Sequence, residues 1–252
     1  RNLFSSLDDD NNDGFATKLK VQQHLIKNDS LWNLSAIVDA DFIQKDFKTI
    51  QRLYQAEFNR DWNLENAVLG NQLLFTSGLQ LNHAKKGQAF YNFEHLNFAG
   101  NFNGNKHTLF ANLKLGKFNI FSNSSYLSNT GLVNSSTFFR TFNRVVYNMN
   151  NKYVGVKIAT EDNVQTDNAT QTLTNLSQRF NSYEVFTGIG DSTSVFVEIG
   201  SILRVNDSIR NNALKRVNTS NTYYLKSRLI QNDKTNLQLF VNYRRLKAED
   251  ET

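Results

Sequence analysis

The sequence contains no cysteine and no proline. Without cysteine, disulfides, CxxC redox chemistry, thiolate nucleophiles and cysteine-ligated zinc are all excluded. Proline cannot donate to a β-ladder, so its absence, against a usual share of about 5%, suits strands paired on both sides along most of the chain. Long apolar runs are missing as well. No stretch approaches the roughly 20 apolar residues of a membrane-spanning helix, which leaves strand-built membrane walls open. Charge is nearly balanced: 28 Lys and Arg against 23 Asp and Glu give +5. The basic residues are scattered, not gathered into the stripe that tracks phosphates, so no nucleic-acid partner is expected.

Aromatic and amide side chains are plentiful. The chain has 20 Phe and 9 Tyr, and about one residue in seven is Asn, a mixture that suits strands joined by Asn-built turns. The strongest pattern is period-two alternation: Leu73, Phe75, Leu79 and Leu81; Leu109, Ala111, Leu113 and Leu115; Val154, Val156 and Ile158; Val195, Val197, Ile199 and Leu203; Leu237, Leu239, Val241 and Tyr243. Each set predicts a strand with one face more apolar than the other. Turns are predicted at Asn28–Ser30, Lys85–Gly87, Asn103–Asn105, Ser128–Gly131, Asn150–Asn151, Gly190–Thr193 and Asn232–Lys234, where Asn, Asp and Gly accept positive φ.

These intervals predict an all-β fold: a long antiparallel β meander, open or partly closed and barrel-like, of about ten to thirteen strands with no room for βαβ crossovers. Residues 1–252 read as a single β-rich segment, a length that one β domain can reach. The start at Arg1 and the polar run Lys247–Thr252 directly after an apolar strand read as the limits of a window in a longer polypeptide. Residues 43–53 fit either a short helix or a strand pair around Lys45 and Asp46, and residues 163–175 read as a loop.

Candidate chemistry is sparse. Asp9, Asn11, Asp13 and Gly14 match the opening of a calcium loop, but Lys20 stands where the closing bidentate Glu belongs, so an Asx-rich turn is the expected role and no metal or cofactor is expected. His83, His95 and His107 recur every twelve residues; with turns near Lys86 and Asn103, His83 falls opposite about Ala89 and His95 opposite about Ala111, and no two become cross-strand neighbours. Glu184 and Glu198 flank the Gly190–Thr193 turn, and the register it implies sends them to opposite faces, against a glycosidase pair. Asp39 and Asp41 share a face that reads as solvated. No GxSxG, HExxH, Walker-type or GxGxxG motif occurs, so no enzyme activity or small-molecule substrate is expected.

Four phrases carry a resemblance: Arg1-Asn2-Leu3-Phe4 with the acidic turn after it, Ala56-Glu57-Phe58-Asn59-Arg60-Asp61-Trp62-Asn63, Tyr153-Val154-Gly155-Val156 leading to Glu161-Asp162-Asn163, and Val197-Glu198-Ile199-Gly200 leading to Arg204-Val205-Asn206-Asp207. The chain resembles the large, strand-rich envelope proteins of gliding and gingival-type bacteria, and among them the Plug components of the type IX secretion translocon. That resemblance implies a non-enzymatic protein on the periplasmic side of the cell outer membrane. Its implied partners are a large outer-membrane translocon barrel and its accessory subunits, and its implied act is to occlude the barrel's periplasmic opening.

Two other expectations compete. The segment could itself belong to a porin-like outer-membrane β-barrel, since its strands have the length. Against this, alternation slips phase between Leu115 and Phe118, and the strands over 15–27 and 222–230 carry Lys, Gln or Arg. A carbohydrate-binding or adhesion module would use Trp32 or Trp62 to stack on sugars, although core packing is the commoner fate of such residues.

Overall fold

The structure is a computed structural model that describes residues 14–27, 31–47, 62, 64, 70–190, 195–210, 213–231 and 236–249. Twelve strands follow one another: β1 (Ala16–Ile26), β2 (Asn33–Ile43), β3 (Gln72–His83), β4 (Gly87–Phe98), β5 (Phe102–Leu115), β6 (Phe118–Gly131), β7 (Asn134–Met149), β8 (Lys152–Asp167), β9 (Gln178–Gly190), β10 (Phe196–Arg210), β11 (Ala213–Gln231) and β12 (Asn236–Ala248). They form a single 12-stranded antiparallel sheet in strict sequence order, and β1 and β12 are its edges. The sheet is open, and no helix occurs among the described residues.

Several connections are tight. Gly116 and Lys117 alone join β5 to β6, with Leu115 opposite Phe118 and Gly116 at φ 60°. Asn150 and Asn151 turn β7 into β8, with Asn150 at φ 54°. The φ > 0 that such turns demand explains the choice of Gly and Asn. The Gly116 turn also removes the apparent slip of phase: the residues that seem out of step lie on the same face on either side of a two-residue loop.

Two predicted turns are strand interior instead. Residues 103–105 lie within β5 and residues 128–131 within β6, while the chain turns at 99–101 and at Leu132–Val133. Gly104 and Asn129 are cross-strand partners, and both serve Trp62. A Cβ at Gly104 would come within 3.1 Å of the Trp62 ring, and the Asn129 amide donates to the Trp62 carbonyl at 2.9 Å. In the loop expected at 163–175, residues 163–167 continue β8 and the connection to β9 follows. Over 43–53, β2 ends at Ile43 and a turn covers Lys45 and Asp46; residues 48–53 lie outside the description, as do the turns at 28–30 and 232–234 and all of the 190–193 turn except Gly190.

Every set of alternating apolar residues named above projects from one face. Leu79 pairs with Tyr91, Leu109 with Tyr91, Leu113 with Ile120, Val156 with Val145 and Val185, Ile199 with Leu225, and Leu225 with Val241. The opposite face carries most of the strands' charge and nearly all of the buried side chains. A cluster of Trp62, Leu96, Phe98, Phe102 and Leu127 occupies one part of it, and Val146, Tyr153 and Phe186 another. The sheet is thus crowded on its polar side and bare on its apolar side, the reverse of a soluble sheet that buries an apolar face.

Candidate functional site

The apolar face is a band. Val154, Val156 and Ile158 are 39%, 42% and 43% exposed, and Leu109, Val185, Val197, Ile199, Leu239 and Val241 are exposed as well. From His107 to Leu115 the strand rises about 26 Å at about 3.3 Å per residue. Side chains at one end form an aromatic row: Phe93 and His107 have ring centroids 5.1 Å apart, His107 and Tyr126 6.4 Å, and Tyr126 lies opposite Phe139. At the other end Phe118 meets Tyr147 at 5.0 Å. Charge on this face gathers at strand ends: Asp162 bonds Arg179, and Asp207 bonds Arg216 at 2.5 Å. Polar residues that interrupt the band on β6 and β7 satisfy one another, with Ser122 donating to Asn143 at 2.7 Å and Ser124 within 2.6 Å of Thr141.

On the polar face several charges are paired. Lys18 reaches Asp39 at 3.4 Å and Asp41 at 2.8 Å. Hydrogen bonding to Asp41 is the main cause that raises the Lys18 pKa. Lys106 faces Glu94 at 3.7 Å and Arg140 faces Glu161 at 3.1 Å. Strands β1 and β11, whose basic residues argue from sequence against an unbroken apolar band, send Lys18, Lys20, Lys226 and Arg228 to this face. Glu94 pairs with Lys106 directly across β4 and β5, and Arg140 with Glu161 across β7 and β8.

The densest cluster corrects the expectation for Glu184 and Glu198. The β9–β10 register pairs Gly190 with Phe196, Glu198 with Gly188 and Glu184 with Ile202, so both acids project from the polar face. The turn is centred further along than Gly190–Thr193 suggested, and an odd-numbered displacement of register exchanges the faces. The Tyr224 hydroxyl lies 2.7 Å from Glu184 and 3.3 Å from Glu198. Tyr153 donates to Glu198 at 2.9 Å and Lys157 to Glu184 at 2.6 Å. Burial, reinforced by these carboxylates, raises both phenol pKa values far above the ordinary tyrosine range. At neutral pH the phenols therefore remain protonated donors, and Lys157 neutralises Glu184. The arrangement holds charge in fixed positions on the polar face.

Glycines make the cluster possible. A Cβ at Gly155 would meet the Phe186 ring at 2.2 Å, one at Gly188 the Tyr153 ring at 2.4 Å, and one at Gly200 the Tyr224 ring at 2.5 Å. Each ring lies over a glycine on a neighbouring strand, and Phe186 is flanked by Lys157 at 4.9 Å and Arg144 at 5.5 Å from its centre. Such ring-over-glycine pairs could be found in sequence only once the register was known.

The weak metal candidate, Asp9, Asn11 and Asp13, lies outside the described residues. His83 faces Gly87 and His95 faces Asn105, not Ala89 and Ala111, because the intervening turns centre on Lys85 and Gly100. Trp62 is 2% exposed and has no free ring face for a sugar, while Trp32 sits edge-on to His83 at 5.0 Å. No family model, curated protein or solved structure matches this chain.

Proposed function

We propose that this chain forms wall of an outer-membrane β-barrel, with its polar face lining an aqueous lumen and its apolar band against lipid. The observation that carries this reading is the sorting of side chains by face: an apolar band bounded by aromatic rows on one side, and paired charges on the other. In hydrocarbon every backbone group must be paired within protein, and alternating strands with an apolar outside about 25 Å tall and aromatic girdles meet that demand. The edges β1 and β12 run in opposite directions because the strand number is even. In the bilayer they would be completed by antiparallel pairing, with each other or with further strands. The role is passive and non-enzymatic: a lined aqueous passage.

Fractionation tests this. The reading expects the protein in outer-membrane fractions, extracted only by detergent, with electrophoretic mobility that changes on boiling as closed barrels do. Recovery in the soluble periplasmic fraction without detergent would contradict it.

The occluding role implied by the resemblance stands as a second reading, with one observation on its side. Trp62 and Leu64, from the connection between β2 and β3, pack over the polar face at one end, so the chain fills part of the space its own strands border. In that role the apolar face would lie against a translocon barrel. Near-equal co-purification with such a barrel, lost on substituting Val156 by Arg, would favour occlusion over an independent wall.

A further inference from the structure

The polar face carries an apolar feature that neither its charge pairs nor the clusters around Trp62 and Phe186 account for. Four phenylalanines on successive strands β4 to β7 form a continuous line: Phe90 stacks on Phe110 at 5.0 Å and 16°, Phe110 meets Phe121 edge-on at 5.5 Å, and Phe121 meets Phe142 at 5.7 Å. Phe142 is 37% exposed and the other three are half-buried. A ring left at a water-facing surface forgoes burial that the opposite, apolar face would not have denied it.

The line is interleaved with amides. Asn123 stands between Phe110 and Phe142 as cross-strand partner of both, and Phe121 stands between Asn112 and Arg144. Beside the last two rings is a recess of about 380 Å³ bounded by Asn112, Asn119, Phe121, Phe142 and Arg144. The buried Nε of Arg144 has no hydrogen-bond acceptor there. The rest of its guanidinium borders the recess and lies 5.5 Å from the centre of the Phe186 ring.

We infer that this line is a binding track for a short oligosaccharide. A pyranose ring presents an apolar face of C–H groups and a rim of hydroxyls, and the track offers aromatic rings at centroid spacings of 5.0, 5.5 and 5.7 Å, close to the length of one sugar unit. Asn112, Asn119 and Asn123 supply donors and acceptors for the hydroxyls, and Arg144 supplies a donor at one end. An apolar peptide would leave those amides unpaired, and a polyanion would find few unpaired cations along the line. The inference deepens the reading of a lined passage and names the class of solute, but it needs only the polar face.

Isothermal titration of the full chain in detergent micelles with maltohexaose, cellohexaose and xylohexaose tests it. The ring-removing, volume-keeping substitutions Phe121→Leu and Phe142→Leu should each weaken binding about three- to tenfold, as expected for loss of one aromatic stack. Phe121→Tyr should retain binding. Phe139→Leu, on the opposite face, should leave affinity unchanged. Absence of saturable binding of all three sugars to the unaltered chain, or an equal loss on Phe139→Leu, would overturn the proposal. Either result would leave the fractionation test of the wall untouched, and a soluble protein that still bound sugar would overturn the wall alone.

Discussion

Gly155 lies directly opposite Phe186, and the ring of Phe186 fills the space that a side chain at 155 would take, with its Cζ only 2.2 Å from where a Cβ would stand. Phe186 is 2% exposed and has little room to retreat. Gly155→Ala should therefore destabilise the fold by about 1–3 kcal/mol, the cost of overpacking. Gly155→Ala combined with Phe186→Leu should recover part of that loss. Denaturant titration of the three proteins in one detergent reads both effects, and an additive pair would exclude the clash as the cause.

Tyr153 and Tyr224 make a prediction about alkaline pH. Their folded pKa values are raised, first by burial and then by Glu198 and Glu184. A group raised in this way contributes stability that is complete below the unfolded value, about 10 for a phenol, and is lost as pH climbs through the folded value. Stability should fall above that point, and phenolate absorbance should show two of the 9 tyrosines ionising only on unfolding. The variant with Phe at both positions should lose the late step and the steeper part of the decline.

Asn129 anchors Trp62. Its amide donates to the Trp62 carbonyl at 2.9 Å, and its oxygen accepts from the Ser136 backbone at 3.1 Å and hydroxyl at 2.9 Å. Asn129→Ala would leave those buried groups unsatisfied, at a cost of about 1–3 kcal/mol. In a Trp32→Phe background the emission of Trp62 should shift to the red; an unchanged spectrum would mean that Trp62 is held by its apolar neighbours alone.

Direction of strand faces predicts opposite responses to charge. Val156→Arg places a cation in the apolar band, where the lipid midplane costs about 2–4 kcal/mol, and should reduce membrane assembly sharply. Gln80→Lys, on the polar face beside Ser35 and Phe90, should assemble as the unaltered chain does. Equal tolerance of both in folding assays with lipid vesicles would contradict the assignment of the faces.

The alternation of Leu109, Ala111, Leu113 and Leu115 reads directly as a two-faced strand, because side-chain period two is a local property of extended backbone. What sequence misplaces is register, which depends on where a turn is centred. Glu184 and Glu198 fall on opposite faces or on one depending on an odd shift in the loop between them. Asn103–Gly104–Asn105 reads as a turn for the same local reason that makes Gly116 one, yet Gly104 is small to admit Trp62 from a distant part of the chain. Likewise the basic residues of β1 and β11 weigh against a lipid-facing band only until their faces are known. The ring-over-glycine pairs and the line of phenylalanines are cross-strand features and have no signature along the chain.

The most direct test of the central claim uses the natural absence of cysteine. Single cysteines placed in turn at each position from Leu109 to Leu113, with the protein reconstituted in lipid vesicles, would be challenged with a membrane-impermeant maleimide. The account predicts labelling that alternates with period two: positions 110 and 112, on the polar face, reactive, and 109, 111 and 113 protected. Uniform labelling of all these positions would show that both faces meet water and would contradict the barrel wall.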